Sequence, residues 1–267
     1  MTPAGDEALT HTLRRAHRAT PWELVDRRPL AFDAGHPQGM SRVAGTWWIS
    51  TVDLAARRGW VLGVDDDGRL VDRVAVGDAE RYHPGGMGFD GTALWVPCAE
   101  YRPRSTTTVV RLEPGATPSG VFEVDDHVGA IVRAGADGDL VGWTWGSRRF
   151  RRWRIDGELV DERRNPGGFV DHQDGHWLDT GHVLCGGVGA VATPGGLLTI
   201  GGLALLRAAD LVVEHEVPFP GYSPTGRVGT HNPLWVEVVD DRVLLHLLPD
   251  DGAGTLFTWA TPLVPTG

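Results

Sequence analysis

A chain of 267 residues with 41% hydrophobic content can bury a full core, either as one large all-β domain or as two ordinary domains. Its formal charge of −10, with arginine as the sole cation type, argues against nucleic acid as a partner, because phosphate binding needs a basic face. No apolar run approaches the roughly 20 residues that span a bilayer, and the first residues lack the charged, apolar, small-residue order of a secretory signal. The expectation is a cytoplasmic protein without a membrane partner.

In chain order, residues 1–21 place Leu9, Leu13 and Ala16 at helical spacing among Arg14, Arg15, His17 and Arg18, as in a short amphipathic helix or a frayed arm. No chemistry is assigned to them. Glu23 to Phe32 is an orphan strand pattern. From Trp22 onward the chain alternates short strands with turns such as Asp67-Gly68, Asp90-Gly91, Asp137-Gly138 and Asp156-Gly157. Apolar strands are expected at Trp47–Val52, Leu94–Ala99, Leu140–Trp145, His182–Gly186 and Val243–Leu248, and outer strands at Leu70–Val74, Val121–Val124 and Leu211–Glu214. Cys98 and Cys185 fall in such apolar runs and are read as two reduced, packed thiols rather than a disulfide or a metal clip.

These strands repeat behind a histidine. His36-Pro37-Gln38-Gly39, His83-Pro84-Gly85-Gly86, His127-Val128-Gly129-Ala130, His172-Gln173-Asp174-Gly175 and His231-Asn232-Pro233-Leu234 follow one another at spacings of 47, 44, 45 and 59 residues. Four strands per unit of about 45 residues is the pattern of a propeller blade. The last unit is one strand short, and the orphan N-terminal strand would complete it and remove an exposed sheet edge. The expected fold is an all-β, five-bladed β-propeller with four-stranded blades, formed by residues 22–267 as one domain. Across that range the repeat resembles the β-propeller superfamily.

A residue at the start of a blade's inner strand points into the mouth of the central channel. The fold therefore predicts a ring of His36, His83, His127, His172 and His231, with Gly39, Gly86, Ala130 and Gly175 allowing the inner strands to crowd together. Five clustered imidazoles cannot all be protonated. Neutral, they offer lone pairs to water or to a metal. The expected cofactor is a divalent transition metal, iron or copper ahead of zinc, nickel or manganese, since calcium wants oxygen ligands. At a metal–nitrogen distance of about 2.1 Å five coplanar nitrogens would be too close, so one ligand is axial or some histidines stand outside the coordination shell. Asp126 and Asp171, each preceding a ring histidine, either orient an imidazole or serve an ordinary turn.

Loops between second and third strands open on the same face. Among them Glu100 is the acid/base candidate, Arg102 and Arg104 could clamp a carboxylate or phenolate, and Tyr82 could hydrogen-bond a ligand or pack. The long insertion Val188 to Thr199 also reaches this mouth. His176, His182, His215 and His246 are out of phase and are read as structural.

The histidine set resembles the all-histidine iron site of carotenoid cleavage oxygenases in ligand type and axial placement, although those proteins have seven blades and longer chains. The resemblance implies a metal-dependent, oxidative enzyme acting on a small organic molecule. Lyase or hydrolase chemistry and a non-catalytic ligand-binding or scaffold propeller are the alternatives. A likeness to five-bladed glycosidases ranks lower, because that chemistry needs paired carboxylates where this repeat has histidines.

Overall fold

The computed structural model describes residues 3–134, 138–167 and 169–264. Asp137 of the Asp137-Gly138 turn lies outside them, as do residues 1–2 and 265–267 at the ends of the two expected segments.

The N-terminal segment is a helix, α1 (Pro3–Arg15), with Asp6 in its first turn and Arg14 and Arg15 in its last, as the helix dipole favours. It is docked, not frayed. Leu9, Leu13 and the following Ala16 are buried against Leu178, Leu205, Phe219 and Leu247. Full burial of each leucine contributes about 2 kcal/mol. Polar contacts fix the helix ends: Asp6 accepts the Asp179 N–H at 2.9 Å, and Thr12 Oγ1 accepts that of Val264 at 2.9 Å.

Among the described residues, twenty-one strands follow. They are β1 (Glu23–Pro29), β2 (His36–Val43), β3 (Thr46–Asp53), β4 (Arg58–Val64), β5 (Leu70–Val76), β6 (His83–Pro84), β7 (Gly86–Phe89), β8 (Leu94–Ala99), β9 (Thr107–Leu112) and β10 (Ser119–Val124). Then come β11 (Val128–Arg133), β12 (Leu140–Thr144), β13 (Arg149–Trp153), β14 (Leu159–Arg164), β15 (Val170–Leu178), β16 (His182–Thr193), β17 (Gly196–Arg207), β18 (Val212–Phe219), β19 (Leu234–Val239), β20 (Arg242–Leu247) and β21 (Thr255–Pro262).

Three sheets have four antiparallel strands: β2-β3-β4-β5, β15-β16-β17-β18 and β1-β21-β20-β19. In the last, the N-terminal strand β1 closes the sheet made by the C-terminal strands. The fourth sheet has nine strands, in which two antiparallel units, β7 to β10 with β6, and β11 to β14, are joined by parallel pairing of β7 with β11. Two-residue turns with positive φ at both positions, Ala44-Gly45 and Asp240-Asp241, match the right-handed twist of their hairpins. Apolar side chains from neighbouring units meet in separate clusters, such as Trp47 with Met40 and Leu256, or Trp143 with Leu206 and Leu211. Both cysteines are buried free thiols whose pKa is raised by burial.

The strands β2, β7, β11, β15 and β19 lie side by side in a closed cycle. The small residues let them do so: a Cβ on Gly39 would stand 2.6 Å from the Met87 nitrogen and 2.7 Å from the Gly86 Cα. Asp174, which the repeat pattern passes over, sits at the same centre with no exposed surface. Its Oδ2 accepts the N–H groups of Met40 and Leu234, both at 3.1 Å, and so ties β2 and β19 to β15. Burial pushes its carboxyl up to about 8, outweighing the backbone N–H groups that oppose the shift.

The native state therefore binds this proton more tightly than the unfolded chain does, and the stabilisation is lost as pH rises through about 8. Between pH 6.5 and 8 the unfolding free energy should fall by up to about 1.4 kcal/mol per pH unit relative to Asp174→Asn. Urea titrations of the two proteins at both pH values measure that difference, and parallel pH dependences would refute it.

Candidate functional site

All five histidines of the repeat line one cavity of about 250 Å³, together with Tyr101, Trp145 and Asp171. They are not equivalent. The inner strands β2, β11 and β15 each enter through a β-bulge, which sets the side chain that faces inward, whereas β19 pairs with β20 in unbroken register. In the first unit His36 opposes Val52, Pro37 opposes Thr51, and pairing skips to Gly39 opposite Ser50. In the third, Val128 opposes Thr144 and pairing skips to Ala130 opposite Trp143, so His127 matches His36. In the fourth, Asp171 opposes Val188, His172 opposes Gly187, and pairing skips to Asp174 opposite Gly186. Asp171, not His172, thus occupies the position of His36 and His127. His83 holds it in the second unit, opposite Ala99. In the fifth, His231 lies in a 3-10 turn, Gly229–His231, ahead of β19.

The hydrogen bonds select the tautomers. His127 Nδ1–H donates to the Arg102 carbonyl at 3.0 Å, which leaves Nε2 as an acceptor for His83 Nδ1–H at 3.3 Å. The lone pair of His83 is then on Nε2. His36 Nδ1–H donates to Asp251 Oδ1 at 2.8 Å, again leaving the lone pair on Nε2. Arg227 grips the same carboxylate through two bonds of 2.7 and 2.9 Å. Burial works to raise the Asp251 pKa, but Arg227 and His36 outweigh it and the pKa is lowered.

Desolvation keeps the other imidazoles neutral. His83 lies well below the ordinary histidine range through burial, with His127 and His36 adding to the shift. His127 and His231 are each lowered to about 4, chiefly by burial. Tyr101 and Trp145 provide the cover over the first pair, with ring centroids 4.5 Å from His83 and 4.6 Å from His127 respectively. His172 packs beside Trp143 and Phe150, and neither ring nitrogen has a hydrogen-bond partner. Burial lowers it to about 4 as well. Asp171 is raised by burial, although it accepts the Ser147 hydroxyl at 3.0 Å.

The loop residues take other places. Glu100 clasps its own loop, accepting the Thr106 N–H and hydroxyl at 3.0 Å each and Arg102 Nε at 2.8 Å, and Arg102 and Thr106 hold its pKa down. It is outside the cavity wall, as are Tyr82, Arg102 and Arg104. Arg102 contributes its carbonyl to His127, and its guanidinium pairs with Glu100. Arg104 is an exposed residue of the same loop with φ +53°, and Tyr82 lies under the Arg57 guanidinium, 5.0 Å from it. Asp126 accepts the His127 backbone N–H and pairs with Arg148, which is turn chemistry rather than support for an imidazole. Sequence reasoning passed over Asp251; its neighbour Asp250 accepts the Ser223 and Thr225 hydroxyls.

A metal was expected on the ring. Among the described residues, no three His, Cys, Asp or Glu side chains are grouped so as to hold a metal ion. In this register the fourth position carries a carboxylate bonded to Ser147, and two of the imidazoles are bonded to each other.

A family model described as a family of unknown function (DUF6454) matches residues 3–265. No curated protein sequence matches the chain. Among solved structures, a hypothetical protein from Leishmania major is similar at 12% identity and a TM-score of 0.55, covering 90% of this chain and 91% of that one. The PQQ-bound aldose sugar dehydrogenase from Streptomyces coelicolor is similar at 11% identity and a TM-score of 0.52, covering 91% and 99%. A luciferin-regenerating enzyme is similar at 11% and 0.51, covering 90% and 79%. At such identities the likeness concerns the fold alone, and that fold is a β-propeller.

Because His127, His172 and His231 bind protons less tightly in the native state than in the unfolded chain, their contribution to stability is full above pH 6.5 and is lost as pH falls toward about 4. Replacing His172 with Phe should remove one group's share, up to about 1.4 kcal/mol per pH unit. Urea midpoints at pH 6.5 and 4.5 should converge in His172→Phe relative to the parent. Equal slopes would show that this imidazole titrates normally.

Proposed function

Since the chain belongs to DUF6454, a family of unknown function, its activity has to be argued from the site, and we propose a five-bladed β-propeller enzyme that transforms a small organic molecule by proton transfer at His36. The blade count treats the nine-stranded sheet as two units and β6 with β7 as one interrupted inner strand, which makes five four-stranded units with the inner strands in one cycle. The observation that carries the chemistry is the Arg227–Asp251–His36 array at the cavity wall.

In this reading His36 Nε2 takes a proton from the substrate, or from a water directed at it. The Asp251 carboxylate holds the Nδ1–H and stabilises the imidazolium that forms. Arg227 keeps that carboxylate ionised and oriented. His83 Nε2, neutral and bare, accepts a substrate hydroxyl or N–H, while Tyr101 and Trp145 offer apolar walls. Such a set suits elimination or hydrolysis. The oxidative chemistry expected from the sequence needs a metal, for which the described residues group no three ligands. A small molecule is the only partner that this site calls for.

Against a substrate found by turnover screening, His36→Gln should lower kcat by roughly 10²–10⁴-fold. Asp251→Asn should lower kcat in the same direction with KM little changed. Activity retained in both variants would overturn the assignment. Near-stoichiometric iron or copper in tag-free protein, lost on His83→Ala with the fold intact, would establish the metal reading in its place.

A further inference from the structure

A second cavity, of about 480 Å³, adjoins the first, and His36 stands in the wall of both. It runs outward along the first blade between β3, β4 and the segment joining β1 to β2. Phe32, Leu54, Trp60, Leu62 and Leu70 give it apolar walls. Leu54 and Leu70 keep 49% and 40% of their surface exposed, which is costly for large aliphatic side chains unless something else covers them.

Among the described residues, the guanidinium of Arg73 lines this apolar space. The Arg73 guanidinium lies over the Trp60 ring, 3.9 Å from its centroid, with Arg58 at 5.5 Å from the same ring. Most arginines in the neighbourhood are neutralised: Arg28 and Arg42 pair with Asp66, and Arg227 with Asp251. Arg73, by contrast, makes no ion pair with a carboxylate among the described residues. The acidic groups that share the cavity are committed elsewhere. Asp251 is held by Arg227 and His36, Asp53 caps the Ala56 N–H, and Asp33 accepts the Gly35 N–H. A stacked guanidinium retains its in-plane N–H donors for a planar anion.

We infer that the lateral cavity binds an amphipathic organic anion, its aromatic or aliphatic body against Trp60, Leu62 and Leu70 and its acidic group on Arg73. The position of His36 between the two cavities makes this molecule the substrate class of the enzyme, with the anionic end anchored laterally and the reacting end at Nε2. That last step rests on the proton-transfer role given to His36; the binding itself does not.

The test uses two fluorescent probes with one aromatic body. 8-Anilinonaphthalene-1-sulfonate carries an anionic group, and N-phenyl-1-naphthylamine lacks it. The parent protein should bind the sulfonate saturably at one equivalent. Arg73→Gln should weaken the sulfonate at least tenfold and the neutral probe less than twofold. Leu70→Trp, a change at a partly exposed position that fills the cavity, should weaken both at least tenfold while thermal unfolding confirms the fold. The catalytic assignment is read by turnover in His36→Gln and this one by probe affinity in Arg73→Gln and Leu70→Trp, so a failure of one does not register as a failure of the other. Absence of saturable sulfonate binding, equal losses for both probes in Arg73→Gln, or full binding in Leu70→Trp would each overturn the inference.

Discussion

The close approach of the inner strands at the axis is the constraint from which the rest follows. Gly39 meets Gly86 and Met87 at distances that leave no room for a Cβ, and β7 pairs directly with β11 beside it. Asp174 fills the remaining space with a carboxyl group bonded to the backbones of two other strands. A buried carboxylate is costly unless it stays protonated or finds donors, and here both compensations act at once. Packing at this centre leaves little freedom in how each strand enters, so the bulges just outside it fix which residues face the cavity.

The bulges then decide the chemistry. A strand displaced by one residue turns every side chain to its opposite face. That displacement puts Asp171 in the place expected for His172 and sends His172 into an apolar wall beside Trp143 and Phe150. The result is a mixed set of groups at the cavity, not a uniform histidine girdle. Neutral imidazoles sit under aromatic cover, while one, His36, is supported by an ionised carboxylate. Desolvation and hydrogen bonding thereby give chemically identical side chains different roles.

The N-terminal segment shows the same dependence on packing. Its helical spacing is plain, yet two leucines cannot say what they will cover. They cover the seam between the sheet of β15 to β18 and that of β19 to β21, where the chain's two ends meet. The strand β1 completes the latter sheet nearby, so the first thirty or so residues secure the last thirty.

Much of the architecture was legible because it is carried by local chemistry. Period-two alternation gave the strands, with Leu94–Ala99 as expected and Trp47–Val52 within β3, and the missing final strand pointed to the one that begins at Glu23. The five histidines spaced by the repeat line one cavity. Lost to the sequence were Asp251, the register that gives Asp171 the place expected for His172, and the diversion of Glu100 into its own loop. A repeat spaced by histidines counts residues, whereas facing is counted from the hairpins and bulges, which carry no residue signature at Gln38, Gly129 or Gln173. The sequence alone thus determined the strands, their repetition and the gathering of imidazoles, since these follow from spacing along the chain. Tertiary structure alone decided which imidazole lies next to a carboxylate and which is walled in, because burial and partners exist only once distant strands are packed together.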